Sequence, residues 1–234
     1  MIRFGRSSRA LAAGLAALAG FVDASGYIAS GGYFLSFMSG NSTRLGLALV
    51  DAPAAARLAA GLITAFVAGV TLGTLAGRRL DRRRRAGVLM VLAVVLAGAA
   101  LAAGGGQLRL ALLLTALAMG AENTVFEAGG DTVISLTYMT GNLVKVGQRI
   151  ALAVGGGAPL GWLPYLLLWS AMLGGAVAGA WAAPHWGWAC YGSPAAPRCC
   201  WRSRPGASPR IDAHRLPRCA KTRKDSFNTL DLQR

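Results

Sequence analysis

Long apolar runs, separated by short polar or glycine-rich breaks, fill the first 183 residues of the chain. The clearest run, residues 58–77, has 20 residues, enough for a helix to cross about 30 Å of hydrocarbon. The pattern predicts an all-α, polytopic helical membrane protein with about six or seven membrane segments. The predicted segments are 10–22, 34–50, 58–77, 86–103, 110–126, 133–154 and 160–183.

The first run admits two interpretations. Three arginines precede it, and Ala17-Leu18-Ala19 is typical of a signal-peptide cleavage site. A membrane helix is the preferred interpretation, because the region has a second copy later in the chain and a cleaved leader should have none.

An internal repeat with an offset of about 100 residues divides this region into two homologous halves, about 10–103 and 108–183. Residues 37–46 align with residues 138–147, and residues 20–23 align with residues 120–123. The matching pairs are Met38/Met139, Ser39/Thr140, Gly40/Gly141, Asn41/Asn142, Arg44/Lys145 and Gly46/Gly147. Such repeats are common in secondary transporters, whose sites form between the halves from discontinuous helices.

Each half therefore contains a Ser/Thr-Gly-Asn motif inside an apolar segment. Gly permits a break in the helix or a close helix contact, and the polar side chains supply donors and acceptors. Two functions are open for Ser39, Gly40, Asn41, Thr140, Gly141 and Asn142. They bind a polar solute or an ion, or they join helices by hydrogen bonds without any ligand.

Charged residues also fall in or beside the apolar segments. An ionisable side chain in a bilayer costs about 2.5–3.5 kcal/mol on the insertion scale, so it should pair or face a polar cavity. Asp23 with Arg44 and Glu122 with Lys145 are the expected pairs, cross pairs being equally possible. The alternative is a proton or ion relay through Asp23 and Glu122. In the alignment of the two halves, Asn123 occupies the position equivalent to Asp23.

Composition agrees with a membrane protein. Hydrophobic residues make up 54% of the chain, charged residues only 14%, and the mean hydropathy is +0.48, whereas soluble domains carry about 25% charged residues. The net charge is +15, but the basic residues bracket apolar runs rather than covering a soluble domain, which argues against nucleic-acid binding.

All four cysteines and both histidines lie beyond residue 184. The membrane segments therefore offer neither residue to a haem, a zinc ion or a histidine-dependent active site. We expect no catalytic residues, no metal, no cofactor and no enzymatic activity. The expected partners are the lipid bilayer and an unknown small solute or ion, and an oligomer is possible.

The sequence changes character after residue 184. Residues 185–234 contain ten basic residues and no apolar run long enough to span a membrane. This basic, Pro- and Cys-containing tail is interpreted either as disordered or as a frameshifted gene end, because Arg, Pro, Cys and Trp suddenly replace Leu, Ala, Val and Gly.

Four motifs carry a resemblance to a known family: residues 20–24, residues 37–41 with Leu45 and Gly46, residues 118–123 and residues 138–143. In these residues the sequence resembles the YoaK family of bacterial multi-pass membrane proteins, which carry a domain of unknown function. The resemblance implies a membrane location and a further apolar helix after residue 183. For an all-helical protein of this kind we expect the inner membrane, crossed several times. It names no substrate. From the residues, a transporter or permease for a small solute or ion is the preferred function, and a non-transporting structural or partner-binding protein is the alternative.

Two topologies are compatible with the arginines. If segments 34–50 and 133–154 are re-entrant, residues 1–9 and 78–85 are both cytoplasmic, the halves are inverted, and the basic tail lies outside. If both segments cross, the halves run parallel and the first three arginines lie outside. The first topology is preferred, and both place loop 78–85 in the cytoplasm.

Overall fold

A computed structural model of the chain describes residues 5–80, 83–128, 131–132 and 137–183. All of them belong to one compact unit, Met1–Pro194. The predicted tail, 185–234, lies outside the described residues, as do residues 133–136 of the sixth predicted segment and residues 81–82 of the arginine-rich loop.

The described part of the chain contains seven α-helices, one for each predicted segment. They are α1 (Arg6–Ser30), α2 (Met38–Asp51), α3 (Pro53–Arg79), α4 (Arg84–Gly104), α5 (Leu108–Glu122), α6 (Met139–Val154) and α7 (Leu163–Ala182). Two short antiparallel strands, β1 (Glu127–Ala128) and β2 (Asp131–Thr132), lie between α5 and α6 and were not predicted. The first helix is longer than the predicted run because its polar positions, Asp23 and Ser25, stay helical.

Within the described residues, α1, α3, α4 and α7 are long and apolar enough to cross a membrane. The other three helices have 14 to 16 residues, which correspond to about 21–24 Å of helix. Several apolar side chains on the outside are strongly exposed, such as Leu101 (78%) and Trp181 (72%). This exposure suits a protein whose outer surface is covered by lipid, and the fold is that of a multi-pass helical membrane protein.

The first helix ends where two glycines follow it. Gly31 and Gly32 have φ values of 74° and 117°, which residues with a side chain rarely adopt. The amide groups of both glycines donate to the carbonyl of Tyr27, at the end of α1. Residues 31–37 then run without helical structure until α2 begins, and we call them the 31–37 connection.

Helices α1 and α7 pack in direct backbone contact. A Cβ at Gly175 would overlap the Ala17 carbonyl, and one at Gly179 would overlap the Phe21 carbonyl. Since the residue numbers rise together, the two helices are parallel. The Gly-x-x-x-Gly spacing is the one that lets membrane helices approach closely.

Helices α3 and α5 pack in the same way. Gly69 lies against Leu117, and Gly73 lies against Ala121, so these helices are also parallel. Each pair has one further glycine on the facing helix. A Cβ at Gly20 of α1 would overlap α7 at Met172 and Ala176. A Cβ at Gly120 of α5 would overlap α3 at Phe66 and Val70.

Two hydrogen bonds show which helix ends lie together. Arg85 Nη1 donates to Ser8 Oγ at 3.0 Å, so the start of α4 lies beside the start of α1. The Tyr33 hydroxyl donates to the Ala55 carbonyl at 3.3 Å, so the 31–37 connection lies beside the start of α3. Because α3 ends just before α4 begins, α3 runs antiparallel to α1.

Two neighbouring glycines of α7 provide a direct test of the backbone contact. Gly175→Ala should destabilise the protein by about 1–3 kcal/mol, the usual cost of overpacking, because its Cβ would overlap the α1 backbone. Gly174→Ala is the matched control, since nothing lies within 4 Å of a Cβ there. Thermal unfolding of both variants in detergent measures the difference. Equal melting temperatures would contradict the α1–α7 contact.

Candidate functional site

The Asp23 carboxylate is buried between α1 and the 31–37 connection. Asp23 lies in α1, seven residues before the helix ends, which places it about 10 Å from that end. Its Oδ1 accepts hydrogen bonds from the amides of Leu35 (2.7 Å) and Ser36 (2.6 Å). Its Oδ2 accepts the Ser36 hydroxyl at 2.6 Å. The 31–37 connection therefore turns back alongside α1 instead of continuing away from its end.

Asn41 holds the same connection from the other side. The Phe34 amide donates to Asn41 Oδ1 at 3.0 Å, and Asn41 Nδ2 donates to the Phe34 carbonyl at 2.7 Å. Asn41 is fully buried in the first turn of α2. A non-helical backbone at membrane depth must have its polar groups satisfied by protein, and Asp23 and Asn41 supply those partners.

Arg44 also binds the backbone of the connection. Its Nη1 donates to the Gly32 carbonyl, and its guanidinium lies over the Tyr33 ring, 4.8 Å from the ring centre. The carbonyl and the aromatic face both stabilise the cation.

The second Ser/Thr-Gly-Asn motif has similar contacts. The Thr137 hydroxyl donates to Asn123 Oδ1 at 3.0 Å, and these residues align with Ser36 and Asp23. The Asn123 amide also donates to the Met119 carbonyl. Asn142 Nδ2 donates to Met139 Sδ at 3.4 Å, and Lys145 Nζ lies 5.5 Å from the centre of the Tyr165 ring.

The two motif glycines do not break their helices, because both lie in the first helical turn. A Cβ at Gly40 would overlap the Phe37 ring, and one at Gly141 would overlap the Tyr138 ring. The residues before them, Ser39 and Thr140, are exposed. The interruption expected at the first motif lies instead at Gly31, ahead of it.

Glu122 differs from every other polar residue described above. It is the last residue of α5, it is completely buried, and neither carboxylate oxygen has a hydrogen-bond partner within the described part of the chain. It lies close enough to Asp23 for the two carboxyl groups to interact electrostatically. An unpaired carboxylate in an apolar interior costs several kcal/mol, and a proton or a cation removes that cost.

The expectation of acid–base pairs is therefore wrong. The acids Asp23 and Glu122 lie near each other, whereas the bases Arg44 and Lys145 lie over tyrosine rings. The physical reason is that amide and hydroxyl donors satisfy Asp23, and a carbonyl satisfies Arg44.

The sequence did contain the missed signals: Ser36 and Thr137 align at the same offset as the motifs, and the glycines of α3 and α7 recur every four residues.

A cavity of about 570 Å³ reaches Asp23 between α1 and α7. Four aromatic side chains, Tyr27, Phe34, Phe37 and Trp169, contribute to its lining. No group of three or more His, Cys, Asp or Glu side chains able to hold a metal ion occurs among residues 5–80, 83–128, 131–132 and 137–183. The buried carboxyl group of Glu122, which has no hydrogen-bond partner among the described residues, is suited to exchange a proton or to bind a cation.

The hydrogen bonds of Asp23 predict different results for two substitutions. Asp23→Ala leaves two buried amides unsatisfied and should cost about 1–3 kcal/mol of stability for each. Asp23→Asn should retain most of the stability, because its oxygen can accept both amides and its amino group can donate to Ser36. Chemical unfolding of the two variants in detergent makes the comparison. If both variants lose the same stability, the carboxylate does not hold the connection.

Comparisons with known proteins give the chain a family. The family model described as a protein of unknown function, DUF1275, matches residues 11–200. A UPF0700 transmembrane protein, RA0705, from Rhizobium meliloti is 37% identical over 176 residues, which cover 73% of this chain and 74% of that protein. No solved structure matches the chain. The chain therefore belongs to DUF1275, a family of membrane proteins of unknown function.

Proposed function

We propose that this protein is a secondary transporter for a small solute or ion, driven by a proton or cation that exchanges at Glu122 and Asp23. The observation that carries the proposal is the buried carboxyl group of Glu122, which has no hydrogen-bond partner among the described residues and lies near a second carboxyl group. Ionisable residues inside membrane proteins mark proton relays and ion pathways.

The architecture we propose is a pair of inverted halves, α1–α4 and α5–α7. Three pairs of glycines support it. Gly20 of α1 contacts α7, and Gly120 of α5 contacts α3 at the equivalent positions. In the opposite direction, Gly175 and Gly179 of α7 contact α1 as Gly69 and Gly73 of α3 contact α5. Because α5 is parallel to α3 and α3 is antiparallel to α1, the equivalent helices α1 and α5 run in opposite directions. Inverted halves are a frequent design of secondary transporters.

In this architecture α2 and α6 are re-entrant, and the other five helices cross the inner membrane. The bonds of Asp23 to Leu35 and Ser36 support this for α2, because they return the chain into the bundle before α2 begins. The start of α1 and loop 78–85 then share the cytoplasmic side, as the contact between Ser8 and Arg85 favours.

A non-transporting structural protein remains the second candidate. The observation in its favour is that Asp23, Asn41 and Arg44 are all occupied by the backbone of their own chain. Glu122 distinguishes between the two candidate functions, because a buried carboxyl group without a hydrogen-bond partner does not stabilise the fold.

The Glu122 variants test transport without knowledge of the solute. Glu122→Gln should fold with unchanged or greater stability, since it removes a costly charge, yet it should abolish proton exchange at this position. Infrared spectroscopy of reconstituted protein across a pH titration measures the carboxylic-acid band, and Glu122→Asp is the control that keeps a carboxyl group. Solute profiling of a deletion strain complemented with each variant gives the transport result. An unchanged spectrum together with unchanged uptake in Glu122→Gln would support the structural candidate.

Cysteine labelling tests the topology. In a background with Cys190, Cys199, Cys200 and Cys219 replaced by serine, Ser7→Cys should react only after the membrane is made permeable. Ala54→Cys should react in intact cells, because it lies at the opposite end of the bundle. Labelling of Ser7→Cys from outside intact cells would reject the inverted arrangement.

A further inference from the structure

A second large cavity lies at the opposite end of the α1–α7 pair from the 31–37 connection. It has a volume of about 660 Å³ and is formed by the first two to three turns of both helices, together with Leu160 ahead of α7. Its lining is mostly alanine and leucine, from Ala10 and Ala13 of α1 and from Leu163, Leu167 and Leu168 of α7. An apolar groove of this size between membrane helices suits a hydrocarbon chain.

Positive charge is concentrated at the mouth of the groove. Arg9 lines it directly and is exposed. Arg85 lies at the same end of the bundle, because its guanidinium donates to Ser8, the residue before Arg9, and lies 5.3 Å from the centre of the Phe126 ring. Neither contact neutralises its charge.

The helix dipoles add to this charge. Since α1 and α7 are parallel, both helices begin at this end, and neither has an acidic residue in its first turn. Two helix N-termini together favour an anion.

We propose that this groove binds an anionic phospholipid, with an acyl chain between α1 and α7 and the phosphate at Arg9 and Arg85. The apolar lining selects a lipid over a free anion, and the two guanidinium groups select an anionic headgroup over a zwitterionic one. The proposal does not depend on the transport function.

Native mass spectrometry of the full chain in detergent tests the site, with phosphatidylglycerol and phosphatidylcholine of identical acyl chains as probes. We expect tighter retention of phosphatidylglycerol. Arg9→Gln should weaken it about fivefold, the effect of one basic side chain near an anionic lipid surface. Arg109→Gln is the matched control, because Arg109 aligns with Arg9 at an offset of 100 but lies at the start of α5, at the other end of the bundle.

Two further measurements separate the contributions of the groove and the charge. Ala10→Phe should fill the groove and reduce retention of both lipids, while Arg9→Gln should reduce only that of phosphatidylglycerol. Inorganic phosphate alone should not raise the melting temperature. Equal retention of the two lipids, equal effects of the two arginine variants, or stabilisation by phosphate alone would each overturn the proposal.

Discussion

The structure depends on one constraint: a peptide group inside a bilayer needs a hydrogen-bond partner, and no water is there to supply one. Helices meet that constraint by themselves, but the 31–37 connection does not. Asp23 and Asn41 meet it for this connection, and Arg44 adds a bond to the Gly32 carbonyl. Most of the polar residues that stand out in the apolar sequence thus form hydrogen bonds with the backbone of their own chain.

The two acids Asp23 and Glu122 differ in whether they form such hydrogen bonds. Asp23 accepts three hydrogen bonds that hold the 31–37 connection, whereas Glu122 is more deeply buried and has no donor in the described part of the chain. A side chain that costs stability without a structural return is typical of a functional site. The proposed coupling role therefore rests more heavily on Glu122 than on the conspicuous Asn-containing motifs.

Much of the fold follows from the sequence, because the length of an apolar run determines whether a membrane helix forms. Each of the seven helices in the described residues coincides with a predicted segment, although only four are long and apolar enough to cross a membrane. Asp23, Asn41 and Glu122 were identified as exceptional because they are polar in apolar surroundings. The backbone partners of Asp23 and Asn41 were not predicted, because every residue has a carbonyl and almost every residue an amide, and the sequence does not show which of these groups a side chain contacts. The prediction of ion pairs was wrong for that reason. Opposite charges can be identified from the sequence, whereas the backbone group that a side chain contacts can be identified only from the folded structure.

The glycine contacts between α1 and α7 also bear on how the protein is made. These two helices are the first and the last of the described chain, so during synthesis α1 enters the bilayer long before its packing partner leaves the ribosome. The backbone surface around Gly20 must face lipid, or an insertion factor, throughout that interval. The α1–α7 contact therefore forms only once α7 has been made, and a chain that stops before α7 leaves α1 without its principal neighbour among the described helices.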